Sequence, residues 1–123
     1  MVQLKVKYCK YIPFKSYYAI CLFDYLIIRK EYENIPLDRS TLIHETIHAL
    51  QARDFGIGFC GYFIFYILYL LEWLLKTPWA LFGYNPYMNI SFEREAYDKD
   101  GDSTYLENRT KFAWAKYVFK MRK

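Results

Sequence analysis

The sequence predicts an α+β fold in which a short antiparallel sheet is followed by four helices. Three observations lead to this prediction. Residues 1–30 are rich in β-branched and aromatic residues, the motif HETIH at 44–48 lies in an otherwise uncharged stretch, and residues 57–75 carry a single charge. A chain of 123 residues is long enough for one modest core, so we expect residues 1–123 to form a single domain.

Residues 3–14 and 17–29 are the predicted strands. In the first stretch apolar and polar side chains partly alternate, with Leu4, Val6 and Tyr8 against Gln3, Lys5 and Lys7. Such alternation is typical of strands that have one face on a core. We expect two or three antiparallel strands from these residues.

The residues around HETIH predict a buried helix. Pro36 with Asp38 or Ser40 supplies a start, and Gly56 supplies an end. No residue between these limits breaks a helix. The lack of charge on both sides of the motif indicates that this helix lies at the centre of the fold.

Residues 57–75 are predicted to form a hydrophobic helix, and their length makes them a marginal candidate for a membrane span. Tyrosines and polar residues recur at helical spacing on one side: Tyr62, Tyr66, Tyr69, Glu72 or Trp73, and Lys76. Apolar residues occupy most of the remainder: Phe63, Ile64, Ile67, Leu68, Leu71, Leu74 and Leu75. Three arrangements fit this pattern: a helix in a membrane interface, a helix packed on the core or on a partner subunit, and a re-entrant hairpin turning at Thr77-Pro78.

Two more helices complete the prediction. Residues 89–98 form the third, and Gly101 ends it. Thr104 and Glu107 have the spacing of a capping box, which predicts a final helix from residue 105 to about Phe119.

The HETIH motif places the only two histidines of the chain, His44 and His48, one helical turn apart. Residues i and i+4 lie on one face of a helix, so both imidazoles can bind a single metal ion, while Glu45 reaches a water molecule on that ion. This is the HExxH pattern of zinc peptidases. The alternative is a pair of ordinary histidines on a core helix.

A third zinc ligand has to be a carboxylate or a cysteine, because no histidine remains. Asp54 stands where the pattern HExxHxxGxxH, or its variant ending in Asp, has its third ligand, but that pattern needs a glycine where this chain has Gln51. Without that turn, Asp54 is rotated off the histidine face. Glu93 and Glu95 lie about 200° apart around a helix, so only one of them can face the metal.

Residues 89–98, read together with HETIH, resemble the second helix of the gluzincins, the thermolysin-like zinc metallopeptidases. In that class a ligand glutamate is followed four residues later by an acid. The resemblance implies that Glu93 is the ligand and puts Tyr97 where the family usually has Asp. Either the Tyr97 hydroxyl or Asp98 then orients His44, or the motif is displaced and Glu95 is the ligand.

The resemblance implies a zinc-dependent hydrolase for peptide bonds, with Zn²⁺ held by His44, His48 and Glu93. Glu45 would take the proton of the attacking water and pass it to the leaving amine. A tyrosine would stabilise the oxyanion. Tyr84, Tyr87 and Tyr97 lie nearest the second motif and are the candidates, and Tyr97 is chosen for this role. The alternative is a zinc-binding sensor or membrane-associated interaction module that does not cleave.

In gluzincins the edge strand before the HExxH helix holds the peptide substrate in extended form. The resemblance therefore gives that role to residues 19–29. An ordinary edge strand that binds nothing is the simpler alternative.

The metal site argues against a membrane crossing by residues 57–75. A spanning helix would carry the chain ~30 Å away, yet His48 before it and Glu93 after it have to meet at one ion. The metal site is compatible with contact between this segment and a membrane surface. It is also compatible with a homo-oligomer.

Composition limits the partners and the location. The net charge of +4 comes without a long basic run, so we expect no nucleic-acid partner. Cys9, Cys21 and Cys60 are widely spaced and indicate reduced thiols, with a Cys9–Cys21 bridge as the minor alternative. Three lysines interrupt the first ten residues, so we expect no signal peptide and a location in the cytoplasm or at the inner face of the membrane.

Overall fold

The computed structural model describes residues 4–10 and 19–123 and confirms an α+β fold. Three strands come first: β1 (Lys5–Cys9), β2 (Ala19–Leu22) and β3 (Tyr25–Arg29). Four helices follow: α1 (Arg39–Arg53), α2 (Phe59–Lys76), α3 (Ser91–Lys99) and α4 (Tyr105–Asn108). Short 3-10 segments cover Lys30–Tyr32, Thr77–Phe82 and Ala113–Tyr117.

The sheet is mixed, so the prediction of purely antiparallel strands is wrong. Its order is β1-β3-β2, with β2 antiparallel and β1 parallel to β3. The two-residue turn between β2 and β3 forces those strands to pair side by side, and β1 takes the remaining edge of β3. Leu26 and Ile28 of this central strand are fully buried. The predicted strand residues 3, 11–14 and 17–18 lie outside the described part of the chain.

The turn between β2 and β3 is held by α2. Phe23 and Asp24 both have positive φ, at 50° and 69°, which matches the two-residue turn favoured by twisted hairpins. Phenylalanine rarely adopts this conformation, whereas Asp is one of the residues that tolerate it. The backbone N–H of Asp24 donates to the Tyr62 hydroxyl at 2.8 Å, and that hydroxyl donates to the Asp24 carboxylate. The Phe23 ring packs on Phe59 and Tyr66.

Helix α1 begins after Asp38 and ends at Arg53, close to the predicted limits. Its middle is buried without interruption from Ile43 to Ala49, as expected for a central helix. Gly56, at φ 141°, turns the chain toward α2. Two apolar clusters lie against α1. One includes Ala49, Ala52, Phe65 and Phe92, and the other includes Ile43, Ile47 and Ala96.

Helix α2 turns its tyrosine and polar side toward the rest of the protein and its apolar side outward. Tyr62, Phe65 and Lys76 are buried, whereas Phe63 and Ile67 are about half exposed. Only 22% of its most apolar window is buried, although Phe59–Phe82 is long and apolar enough to cross a membrane. A core helix would show the opposite pattern.

The predicted long helix from 105 to about 119 is wrong. Helix α4 ends at Asn108, and Phe112 has a φ of 61° before a short 3-10 segment begins. The helix stops because Arg109 adopts an extended backbone and its guanidinium binds the buried carboxylates of Asp54 and Glu95. The expected capping box is also absent, since the Thr104 hydroxyl donates to Asp102 instead.

Candidate metal centre

His44, His48 and Glu93 meet in the interior of the protein. A single oxygen of Glu93, Oε1, lies 3.1 Å from Nε2 of His44 and 3.2 Å from Nε2 of His48. All three residues are buried, and their potential ligand atoms lie within 4.8 Å of one another. Helix α1 supplies both imidazoles on one face, and α3 packs across that face to bring in the carboxylate.

Both imidazoles are oriented from behind by hydrogen-bond acceptors. Nδ1 of His44 lies 3.2 Å from the Asp100 carboxylate, and Nδ1 of His48 lies 2.8 Å from Oε1 of Gln51. An acceptor at Nδ1 keeps a hydrogen on that nitrogen and directs Nε2 toward the centre of the group.

The carboxylate of Glu93 is held by α2. Its second oxygen accepts a hydrogen bond of 2.6 Å from the Tyr69 hydroxyl. Helix α2 also fixes the start of α3, because the Glu72 carboxylate accepts from the backbone N–H and the hydroxyl of Ser91 at 2.8 and 2.7 Å. Buried Lys76 donates to Glu72 and to the Asn89 carbonyl, each at 2.5 Å. These contacts set the position from which Glu93 reaches the histidines.

The charges of the group stabilise one another. Burial by itself lowers the pKa of His48, but the adjacent Glu93 carboxylate outweighs burial and raises that pKa to about 9. Burial would raise the pKa of Glu93, and both histidines hold it well below its usual range. The protein without metal therefore holds a charged imidazolium against a carboxylate.

Glu45 is buried beside the histidines. Burial raises its pKa, the two histidines lower it, and Glu93 raises it further, so the net change is upward. The backbone N–H of Cys21 in β2 binds the Glu45 carboxylate. A hydroxyl from α2 binds the same strand residue, since Tyr66 donates to the Cys21 carbonyl at 3.2 Å. The edge of β2 is thus occupied at Cys21 by the protein itself.

Tyr97 lies against the group at its solvent side. Its ring is 4.4 Å from that of His44, and 45% of the residue is exposed. The hydroxyls of Tyr97 and Tyr87 are hydrogen-bonded to each other. Tyr84 instead packs on Trp79 and Lys123.

The other acidic candidates are engaged elsewhere. Glu95 and Asp54 both bind Arg109, at 2.6 and 2.8 Å. Asp98 accepts from the Tyr117 hydroxyl at 2.6 Å and does not orient His44, a role that Asp100 fills. The cysteines, all within the described residues, form no disulfide, so no Cys9–Cys21 bridge is present.

Sequence reasoning missed the three residues that position the group. Asp100 lies two helical turns after Glu93, so helical spacing could have placed both on one face. Gln51 follows His48 by three residues, a spacing at which helical side chains meet. No pattern in the sequence connects Tyr69 with Glu93.

The arrangement of the three side chains fits a zinc ion. Two ligand atoms on tetrahedral zinc lie roughly 3.3–3.6 Å apart when each bond is about 2.0–2.2 Å. The two nitrogen-to-oxygen distances of 3.1 and 3.2 Å are slightly shorter, so the three side chains would have to separate by only a few tenths of an ångström to take the ion. Two imidazoles and one carboxylate form a donor set that zinc accepts in catalytic sites.

No protein-family model, no curated protein and no solved structure matches this chain.

Proposed function

We propose that this protein is a zinc-dependent hydrolase of peptide bonds. The observation that carries the proposal is the meeting of both HExxH histidines with Glu93, with Glu45 beside them. His44, His48 and Glu93 would hold the ion. The zinc would polarise a peptide carbonyl and lower the pKa of a water molecule toward ~7.

The residues around the group would each have a separate task. Glu45, buried beside both histidines, would take a proton from the attacking water at its carboxylate and pass it to the leaving amine. Asp100 and Gln51 would keep both imidazoles in the metal-binding orientation. Tyr97, partly exposed with its ring 4.4 Å from that of His44, would donate to an oxyanion.

A zinc-binding module that does not cleave is the second candidate, and the burial of the group favours it. His44, His48 and Glu93 are only 7%, 6% and 4% exposed, so a substrate has little access to them. The Cys21 edge, on which an added peptide strand would pair, is already bonded to Glu45 and Tyr66. Zinc in such a module would serve stability or sensing.

The deciding experiment measures zinc content and peptide cleavage in parallel. We expect about one zinc per chain by metal analysis, and chelator-sensitive cleavage of an unfolded protein or a peptide library by mass spectrometry. Glu45→Gln should keep the zinc and lose hydrolysis by at least about a hundredfold. Glu107 is exposed on α4, so Glu107→Gln is the matched control and should keep both.

The outcomes separate the two candidates. Hydrolysis that survives in Glu45→Gln removes Glu45 from the mechanism. Stoichiometric zinc without cleavage by the wild-type protein supports the non-cleaving module. Absence of stoichiometric zinc excludes both.

A further inference from the structure

The outward side of α2 is an apolar surface. Phe63, Ile67, Leu70, Leu74 and Leu75, which we call the outer face, are each half exposed or more. Burying residues of this kind is favourable by about 25 cal/mol per Å² of apolar area, and exposed apolar patches of this extent usually mark an interaction site.

The 3-10 segment Thr77–Phe82 continues this surface beyond the end of α2. Leu81 is 87% and Phe82 62% exposed, and Trp79 is about half exposed. Between Asp54 and Glu93 the only charged residues are Glu72 and Lys76. These two bind each other on the inward side, so the outer face and the segment after it present no charge.

Basic residues border the end of this surface. The Asn89 side chain accepts from the backbone N–H of Arg122 at 2.6 Å and donates to the Arg122 carbonyl at 2.8 Å. Arg94 donates to the Lys120 carbonyl at 2.5 Å. These bonds hold the last residues of the sequence beside the loop that follows the 3-10 segment. The Lys123 ammonium lies 5.3 Å from the ring of Tyr84.

Aromatic rings lie between Lys123 and the apolar surface. The Tyr84 ring is 6.4 Å from that of Trp79, and Trp79 is 5.8 Å from Phe82. An uncharged apolar face, then tyrosine and tryptophan, then lysine is the order of groups found from the hydrocarbon to the headgroups of a bilayer.

We propose that the outer face of α2 and the segment Thr77–Phe82 dock on the surface of an anionic lipid bilayer. The apolar side chains enter the headgroup and acyl boundary, and Lys120, Arg122 and Lys123 meet anionic headgroups. This inference goes beyond the proposed zinc chemistry and does not depend on it.

The inward bonds of α2 make this a surface contact and not a crossing. Tyr62 is bonded to Asp24, Tyr69 to Glu93, and Lys76 to the Asn89 carbonyl. A helix that crossed the bilayer alone would lose all three contacts and carry Lys76 into hydrocarbon. A helix lying along the membrane keeps them.

Vesicle flotation of the protein tests the proposal. Vesicles of phosphatidylcholine alone are compared with vesicles that also contain phosphatidylglycerol. We expect wild-type protein to bind the anionic vesicles at least about tenfold more tightly, since each basic residue near the surface contributes roughly fivefold. Lys123→Ala should weaken that binding roughly fivefold, and added salt should weaken it further.

Charged substitutions test whether binding depends on this particular surface or on any exposed apolar residue. The double variant Leu75→Glu and Leu81→Glu should lose vesicle binding by at least about tenfold. Ile35→Glu, at a position 52% exposed before α1, is the matched control and should bind as wild type. Circular dichroism checks that each variant is folded.

Three results would overturn the proposal. If the wild-type protein binds neither kind of vesicle, this surface does not dock on a bilayer. Equal binding to neutral and anionic vesicles removes the role of the basic residues. A dimer detected by light scattering without vesicles, and converted to monomer by the double variant, identifies a second copy of the chain as the occupant.

Discussion

Oε1 of Gln51 lies 2.8 Å from Nδ1 of His48, and the hydrogen bonds of the Gln51 amide nitrogen fix this orientation of the amide group. Its nitrogen donates to the Phe92 carbonyl at 2.9 Å and to the Glu95 carboxylate at 3.0 Å. Because both of these partners are acceptors, the oxygen has to face His48 and accept the hydrogen on Nδ1. The buried Glu95 therefore influences which nitrogen of His48 is presented to a metal.

Gln51→Leu removes this acceptor while keeping much of the volume. We predict a 10- to 100-fold loss of zinc affinity, the usual effect of removing an acceptor behind a ligand imidazole. Competition with a chromogenic chelator measures it. Thr46→Val is the control, because Thr46 is buried on the same helix and its hydroxyl donates to the Leu42 carbonyl. Equal zinc affinity in Gln51→Leu and wild type would contradict the assigned role.

Asp100→Ala should also weaken zinc binding 10- to 100-fold, since it removes the acceptor at Nδ1 of His44. Asp100→Asn keeps an acceptor oxygen and should lose less. The matched control is Asp98→Ala, whose carboxylate binds Tyr117 and not a histidine. The same chelator competition applies to all three variants. An effect of Asp98→Ala as large as that of Asp100→Ala would show that the loss is not specific to His44.

The free energy of unfolding without metal should fall as the pH rises from 6.5 to about 9. The pKa of His48 is about 9 in the folded protein and 6.5 without these contacts. The stabilisation by the charged imidazolium is therefore fully present below pH 6.5 and is lost as the pH rises from 6.5 to about 9. Above pH 9 the Cys21 thiol adds a second loss, because burial raises its pKa to about 12. Urea unfolding in chelator at several pH values measures the trend.

Zinc should abolish that fall between pH 6.5 and 9, because the ion replaces the proton on His48. Zinc binding near pH 7 should accordingly release about one proton, which calorimetry in buffers of different ionisation enthalpy detects. A metal-free protein whose stability stays constant or rises over this range would contradict the predicted charge on His48.

Gly61→Ala should destabilise the protein by about 3 kcal/mol, at the upper end of the cost of overpacking. A Cβ there would lie 2.6 Å from the Ala52 carbonyl oxygen and would also clash with that of Gly56. Both are backbone atoms where α1 and α2 meet, so neither can move aside cheaply. Gly101→Ala meets no atom within 4 Å and is the control. Chemical denaturation compares the two variants.

The parts of the protein predicted correctly from the sequence depend on local spacing. His44 and His48 share a face because both lie on one helix, and Glu93 and Glu95 diverge for the same reason. The preference for Glu93 came from family spacing, and the structure places Glu93, not Glu95, beside the histidines.

The parts that the sequence did not predict depend on distant partners. The direction of β1 depends on which edge of β3 is open, and no alternation of side chains specifies that. The break at Arg109 depends on two carboxylates, Asp54 and Glu95, that come together only in the folded protein. The tyrosine stripe of α2 was visible, but the pattern left open which side of the helix the protein covers.

On one side of the histidine and glutamate group, helix α2 is the layer between the group and the outer face. Tyr69 on one side bonds Glu93, and Leu70 beside it in sequence is exposed on the other. An α-helix with its side chains is about 10–12 Å across. Whatever covers the outer side of α2 therefore lies within roughly one helix diameter of the carboxylate. A displacement of α2 caused by contact on that side would move the Tyr69 hydroxyl that binds Glu93.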